Sequence, residues 1–279
     1  MRYISFIHEG QAVLGIREGK KIHILGNELL DSLLARGADL AEYGRNQPYA
    51  ATLDEAQVKE FLPPLVRPPK IFCVGLNYAD HTKESDYEQP DYPTIFPRYH
   101  SSLVAHQEPI VRPLASDSLD FEGEMAVVLT GGGRHIAKED ALRWVAGYSV
   151  FNDGSVREYQ FKSPQWTIGK NFDNTGAFGP DLVTADELPP GGRGLILETR
   201  LNGVVVQSAS TDDMLFDVAT LISILSEAIS LEAGDVIVTG TPSGIGWARD
   251  PRLLMREGDI CEVSISQIGT LRNSIENER

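Results

Sequence analysis

The stretch Leu119–Leu129, LDFEGEMAVVL, restricts the fold more than any other part of the chain. Its second half, Met125 to Leu129, is an unbroken apolar run of the kind a fully buried strand shows. Its first half carries Asp120, Glu122 and Glu124. Alternation along a strand turns these three carboxylates to one face. Acids packed at the mouth of a buried strand cost several kcal/mol each in lost hydration, and like charges add repulsion. A positive group at that face offsets the cost, and an all-oxygen donor set suits Mg²⁺, Mn²⁺ or Ca²⁺. On a solvated edge strand the same acids simply face water. The stretch alone leaves both readings open.

A chain of 279 residues buries a sizeable core in one large domain, with or without a small appendage. Its hydrophobic fraction of 42% is that of an ordinary globular protein. The formal net charge of −15 argues against nucleic acid and anionic membrane surfaces as partners. An anionic substrate therefore needs local positive charge from a metal, lysine or arginine. Cys73 and Cys261 sit in apolar, strand-like contexts and read as reduced core thiols. The opening MRYISFIHEG lacks the layout of a signal peptide, and no run approaches a membrane span, so a cytoplasmic protein is expected.

Residues 1–27 alternate in short bursts separated by His8-Glu9-Gly10 and Glu18-Gly19-Lys20, which predicts a small β-meander. Weak helical patterning follows in 28–44 and 54–60. The proline-rich FLPPLVRPPK, residues 61–70, marks a boundary between a small N-terminal domain (1–65) and a larger one (66–279). IFCVGLNY (71–78) reads as a buried strand opening into a long charged loop, 79–93, of the kind that serves as a lid. KEDALRWVAG (138–147) suits a short helix and YSVFND (148–153) a strand ending in Asp153. Asn202-Gly203 between two strands predicts a type I′ hairpin, and Asp217–Ser230 an amphipathic helix. Strands outnumber helices, so the expected class is α+β, predominantly β, with helices covering a rolled sheet. The loop GTPSGIG (240–246) has neither a G-x-G-x-x-G pattern nor a P-loop lysine, which argues against a nucleotide site.

Four clusters carry chemistry-bearing residues: His81 with Glu84, Glu122 with Glu124, Asn152-Asp153 with Gln160, and Gly169-Lys170. Each has an ordinary alternative. His81 and Glu84 form a surface pair, Asp153 caps a turn, Lys170 is solvated, and Arg98 beside Tyr99 lies on the surface.

In combination, DFEGE (120–124), NDGS-x-R-x-x-Q (152–160), GK-x-FD (169–173), GTPSGIG (240–246) and NY-x-x-H-x-x-E (77–84) resemble the fumarylacetoacetate hydrolase family. The resemblance covers roughly residue 71 to the C-terminus. It implies a mixed β-roll catalytic domain beside a small β-rich N-terminal domain, and a homodimer. It also implies a Mg²⁺ or Mn²⁺ site at Glu122, Glu124 and Asp153. By the same resemblance His81 and Glu84 match a water-activating dyad and Lys170 a lysine beside the metal. Gln160 and Thr241 match substrate-contacting positions. Two positions depart from the family pattern: Glu158 stands where aspartate is usual, and Arg98 where many small members carry lysine. An arginine fork suits a carboxylate, so Arg98 is expected to receive a second acid of the substrate. The implied reaction is hydrolytic cleavage of a 2,4-dioxo acid, an acylpyruvate such as fumarylpyruvate or maleylpyruvate, in the breakdown of aromatic compounds. Oxaloacetate decarboxylation, and hydration or isomerisation of a 2-oxo-alkenoate, use the same chelated 2-oxo acid and are the alternatives.

Overall fold

The computed structural model describes residues 1–80 and 91–279. Strands β1 (Arg2–His8), β2 (Gln11–Glu18), β3 (Lys21–Gly26) and β4 (Ala51–Asp54) form the expected antiparallel meander. The short strand β5 (Phe61–Leu62) adds to β1. Next come β6 (Ile71–Gly75), β7 (Thr94–Arg98), β8 (Leu103–Val104), β9 (Ile110–Arg112) and β10 (Leu119–Asp120). After these lie β11 (Gly123–Gly133), β12 (Val145–Asp153), β13 (Ser155–Val156) and β14 (Gly176–Thr184). The chain closes with β15 (Ile196–Leu201), β16 (Val204–Ser210), β17 (Leu231–Val238), β18 (Ile260–Ile265) and β19 (Gly269–Asn277).

A large sheet of 12 strands runs in the order β4-β3-β2-β1-β14-β12-β11-β17-β6-β7, with β5 beside β1 and β8 beside β14 off this path, and a 5-stranded sheet has the order β16-β15-β18-β19-β9. Mostly antiparallel pairing, with parallel contacts at β17/β6, β14/β8 and β19/β9, gives the α+β, predominantly β class. Across the boundary expected near residue 65 the large sheet is continuous, because β1 pairs with β14.

The apolar run of β11 is buried on both faces, as a central strand requires. Met125, Val127 and Leu129 pack toward the smaller sheet, among Leu197, Val263 and Leu271, and toward the helix Val218–Ala228. Ala126 and Val128 face the other way, against Leu30, Leu33 and Leu34 of the helix Leu30–Ala35. That alternation sandwiches the large sheet between two apolar layers. The helix expected over Asp217–Ser230 runs Val218–Ala228, its first turn capped by Asp217 Oδ1, which accepts the Thr220 N–H at 2.8 Å. The Asn202-Gly203 turn has φ of 52° and 79°, as a type I′ hairpin demands.

Two local expectations change. Residues 138–147 hold only a tight helix, Lys138–Trp144, before the chain enters β12, because Val145 onward is needed in the sheet. The acidic stretch is not one continuous strand. It breaks at Phe121-Glu122 between β10 and β11, which sends Asp120 away from Glu122 and Glu124.

Candidate metal centre

The antiparallel register of β11 and β12 sets Gly123 opposite Asn152 and Glu124 opposite Phe151. The Asp153 N–H donates to the Glu122 carbonyl at 2.8 Å, and Asn152 Oδ1 accepts the Glu122 N–H at 3.0 Å. These bonds bring Asp153, at the end of β12, beside both glutamates. One carboxylate oxygen from each of Glu122, Glu124 and Asp153 lies within 4.8 Å of the others, and all three residues are buried. The family resemblance grouped these three acids, and the fold brings them together.

Each carboxylate is already gripped. Lys170 Nζ donates to Glu122 Oε2 at 2.7 Å and to Asp153 Oδ2 at 2.6 Å. Burial alone would push the Lys170 pKa down, but Asp153 and Glu122 outweigh it, so the amine ends above its ordinary value and carries its proton. Arg157 reaches Glu122 Oε1 and donates from Nε to Asp120 Oδ2 at 2.9 Å. Asp120 in turn accepts the N–H groups of Gly246 and Trp247, each at 2.9 Å, so it anchors the far end of the glycine loop. The near end of that loop donates the Gly240 N–H to Glu124 Oε2.

Gln160 is oriented by chemistry. Arg157 Nη1 donates to its Oε1 at 2.9 Å, and an arginine has no acceptor to offer, so the Gln160 NH₂ faces elsewhere as a pair of donors. The Thr241 hydroxyl donates to the Gly123 carbonyl at 2.9 Å and accepts from Gln207 at 2.8 Å, leaving one lone pair.

Arg98 is not where the sequence argument put it. Its side chain is 0% exposed and lies behind Asp153, donating to Asp153 Oδ1 at 3.2 Å. It also donates to the Lys170 carbonyl at 2.7 Å, the Gly154 carbonyl at 2.8 Å and Thr175 Oγ1 at 3.1 Å. A guanidinium so engaged supports a ligand rather than receiving a substrate carboxylate. The reason is topological: β7 lies at one end of the large sheet, and its last side chain turns inward under β12. His81 and Glu84, with most of the 79–93 loop, lie outside the described residues.

Among the described residues, four buried carboxylates (Asp120, Glu122, Glu124, Asp153) face three buried cations (Arg98, Arg157, Lys170). Glu124 bears the imbalance. Burial raises its pKa well above the ordinary carboxylate value, and Asp153 and Glu122 raise it further. An oxygen-only set with one uncompensated negative charge fits a hard divalent cation, so the residues present suit Mg²⁺ or Mn²⁺. The two thiols take no part: Cys73 and Cys261 are free and buried, and burial pushes the Cys261 pKa up to about 12.

Sequence reasoning missed Asp120 as an anchor and overlooked Gln207. Asp120 carried the right residue type but was assigned to the wrong face. Gln207 sits in VVVQSAS, where nothing distinguishes it from a solvent-facing polar residue. No helix among the described residues is long and apolar enough to cross a membrane.

Residues 70–276 match the model for the C-terminal domain of fumarylacetoacetate hydrolase. A rat (Rattus norvegicus) protein named mitochondrial oxaloacetate tautomerase Fahd2a is 40% identical over 216 residues, spanning 77% of this chain and 69% of that protein. The solved fumarylacetoacetate hydrolase of psychrophilic Exiguobacterium antarcticum superposes with a TM-score of 0.86 at 36% identity, covering 100% of both chains. The maleylpyruvate hydrolase of Sphingobium sp. SYK-6, solved with manganese(II) and pyruvate, superposes with a TM-score of 0.80 at 25% identity, again covering 100% of both.

Proposed function

The chain belongs to the fumarylacetoacetate hydrolase family, and from that premise we propose a divalent-metal-dependent enzyme that forms an enolate from a 2-oxo acid. The observation that carries this reading is the buried charge imbalance among the described residues. There, four carboxylates against three cations leave one negative charge, and a divalent ion would turn that set positive by one. That remainder attracts the carboxylate beside the 2-oxo group; it does not by itself balance the second carboxylate of a diacid such as oxaloacetate. A divalent ion held by Glu122, Glu124 and Asp153 supplies Lewis-acid polarisation of the substrate's oxygens.

The remaining chemistry falls to side chains of the chain. Lys170 holds a proton at Nζ, with two of its three N–H groups spent on Glu122 and Asp153. The third would donate to the 2-oxo oxygen, where negative charge collects as the C3 proton passes to solvent water acting as base. The C–H electron pair becomes the enolate, and a proton from solvent completes the enol. The Gln160 NH₂ offers donors to the substrate carboxylate. Arg98 and Arg157 do not move protons. They hold Asp153 and Glu122 in place while charge redistributes, which avoids the cost of reorganising the site during reaction.

Keto–enol interconversion of oxaloacetate needs only this enolisation, and it is the activity in the name of the rat relative. Hydrolytic cleavage of an acylpyruvate is a second reading. It is supported by the His81/Glu84 spacing in the sequence and by the pyruvate in the Sphingobium structure. In that reaction water adds at C4, the C3–C4 bond breaks, and its electron pair becomes the same enolate.

The test measures Mn²⁺-loaded protein against enol-oxaloacetate, followed by enol absorbance, and against maleylpyruvate, followed by pyruvate release. Catalysed decay of the oxaloacetate enol without pyruvate release supports the leading reading. His81→Ala separates the two: loss of a general base costs hydrolysis ~10²–10⁴-fold. A loaded protein that accelerates neither reaction refutes both.

A further inference from the structure

Gly123 separates two of the three proposed ligands, and its backbone is held from outside the large sheet. The N–H and C=O of Glu122 are taken by Asn152 and Asp153 on β12. Alternation along the strand points those of Gly123 to the opposite side. There β17 offers no partner, because its pairing with β11 begins only at Ala126. Two side chains fill the gap. Gln207 Oε1 accepts the Gly123 N–H at 3.0 Å, and Thr241 Oγ1 donates to the Gly123 carbonyl at 2.9 Å. Gln207 Nε2 closes the triangle by donating to Thr241 Oγ1 and to the Pro242 carbonyl, each at 2.8 Å.

The amide can sit only one way. The Gly123 N–H requires an acceptor and the Pro242 carbonyl requires a donor, so oxygen and nitrogen of Gln207 are assigned by their partners. Gln207 is 2% exposed and Thr241 3%. Gln207 comes from β16, an edge of the smaller sheet, which presses directly on this point. A Cβ on Gly123 would lie 2.1 Å from Thr199 Oγ1 and 3.0 Å from Val263 Cγ1.

We propose that Gln207 is a positioning residue for the metal centre, acting with Thr241 through the Gly123 backbone to set the separation of Glu122 and Glu124. The inference rests on the metal-dependent reading above. Rotating the peptide units that flank Gly123 moves the two glutamate side chains relative to each other. Gln207, from the sheet that carries no ligand, and Thr241, from the glycine loop that follows β17, fix both polar groups of that residue at once. The smaller sheet thereby tunes a site built on the larger one.

The test is Mn²⁺ affinity, by calorimetry and by the electron paramagnetic resonance of the bound ion, beside the melting temperature of the metal-free protein. Gln207→Met keeps length and removes both hydrogen-bonding groups. Thr241→Val keeps shape and removes the hydroxyl. Each should weaken Mn²⁺ binding 10–100-fold, the usual range for a group that orients a ligand. Thr241→Ser should restore wild-type affinity. Should Gln207→Met fail to fold, Thr241→Val carries the same test. Variants that bind Mn²⁺ within twofold of wild type, with only a lower melting temperature, make the contacts structural and overturn the proposal. A wild-type chain that binds no Mn²⁺ overturns the metal reading and this inference with it.

Discussion

Two charge clusters in this molecule differ in balance and in burial: Arg2 and Glu55 of the first are partly exposed, whereas every charged group of the second is buried. Where the N-terminal strands meet β14, Arg17 donates from Nε to Asp181 Oδ1 at 2.9 Å and pairs with Glu55, and Arg2 approaches Asp181 at 3.9 Å. Two arginines face two acids there. Among the described residues of the metal centre, four carboxylates face three cations. A balanced cluster needs nothing further from solution and serves to register one part of the sheet on another. An unbalanced one, buried where water cannot screen it, is stable only if something else brings the missing charge.

The largest effect that sharpens this contrast is expected from Glu124→Gln. The glutamine oxygen still accepts the Gly240 N–H, but the uncompensated charge is gone. Metal-dependent turnover should fall by at least ~10³-fold, the upper range for a single electrostatic group. Wild type should gain ~2.7 kcal/mol of stability when Mn²⁺ stands at a hundred times its Kd, and the variant none. The metal-free variant should melt higher than metal-free wild type, by roughly 2–4 °C for each kcal/mol of relieved repulsion. Calorimetry with and without Mn²⁺ reads all three signs, and a variant that still binds the ion refutes the ligand assignment.

Arg17→Met breaks the balanced cluster and leaves Asp181, 4% exposed, without its closest cation. The expected loss is about 3–5 kcal/mol in denaturant unfolding. Mn²⁺ affinity should not change. A matching loss of metal binding would show that the two clusters are coupled after all.

A smaller effect follows from His106, which lies against the same N-terminal cluster. Its ring meets Phe61 edge-on at 5.0 Å, and its Nδ1 accepts the Arg272 N–H at 3.1 Å. Burial, aided by Arg17 and Arg272 and opposed by Glu55, lowers its pKa from 6.5 to about 4. The unfolded chain therefore binds this proton more readily, so the stability contribution is complete above about 6.5 and is lost as pH falls toward about 4. The loss amounts to at most ~3 kcal/mol. His106→Gln should flatten the dependence in that window, and parallel pH profiles for variant and wild type would discard the assignment.

Much of the molecule was legible in the residues themselves. The apolar run of β11, the Asn202-Gly203 turn and the spacing of Val218, Leu221, Ile222 and Leu225 determine their elements locally, because side-chain periodicity and turn chemistry act within a few residues. Glu122 and Glu124, two apart on one strand side, raised a cation site beside the solvated-edge alternative through the cost of burying acids together, and only the family resemblance added Asp153; the fold brings the three together. What the tertiary structure decided were the partners of each charge. Asp120 looked equivalent to Glu122 until the chain broke at Phe121-Glu122 and turned it to Arg157 and the glycine loop. Arg98 looked like a receiver of substrate until the fold enclosed it behind Asp153. Gln207, 84 positions from Gly123, carried no local signal at all. Periodicity dictates which way a side chain points along its own element, but which distant group it meets depends on how the sheets pack, and a buried hydrogen bond or ion pair exists only once both partners have arrived.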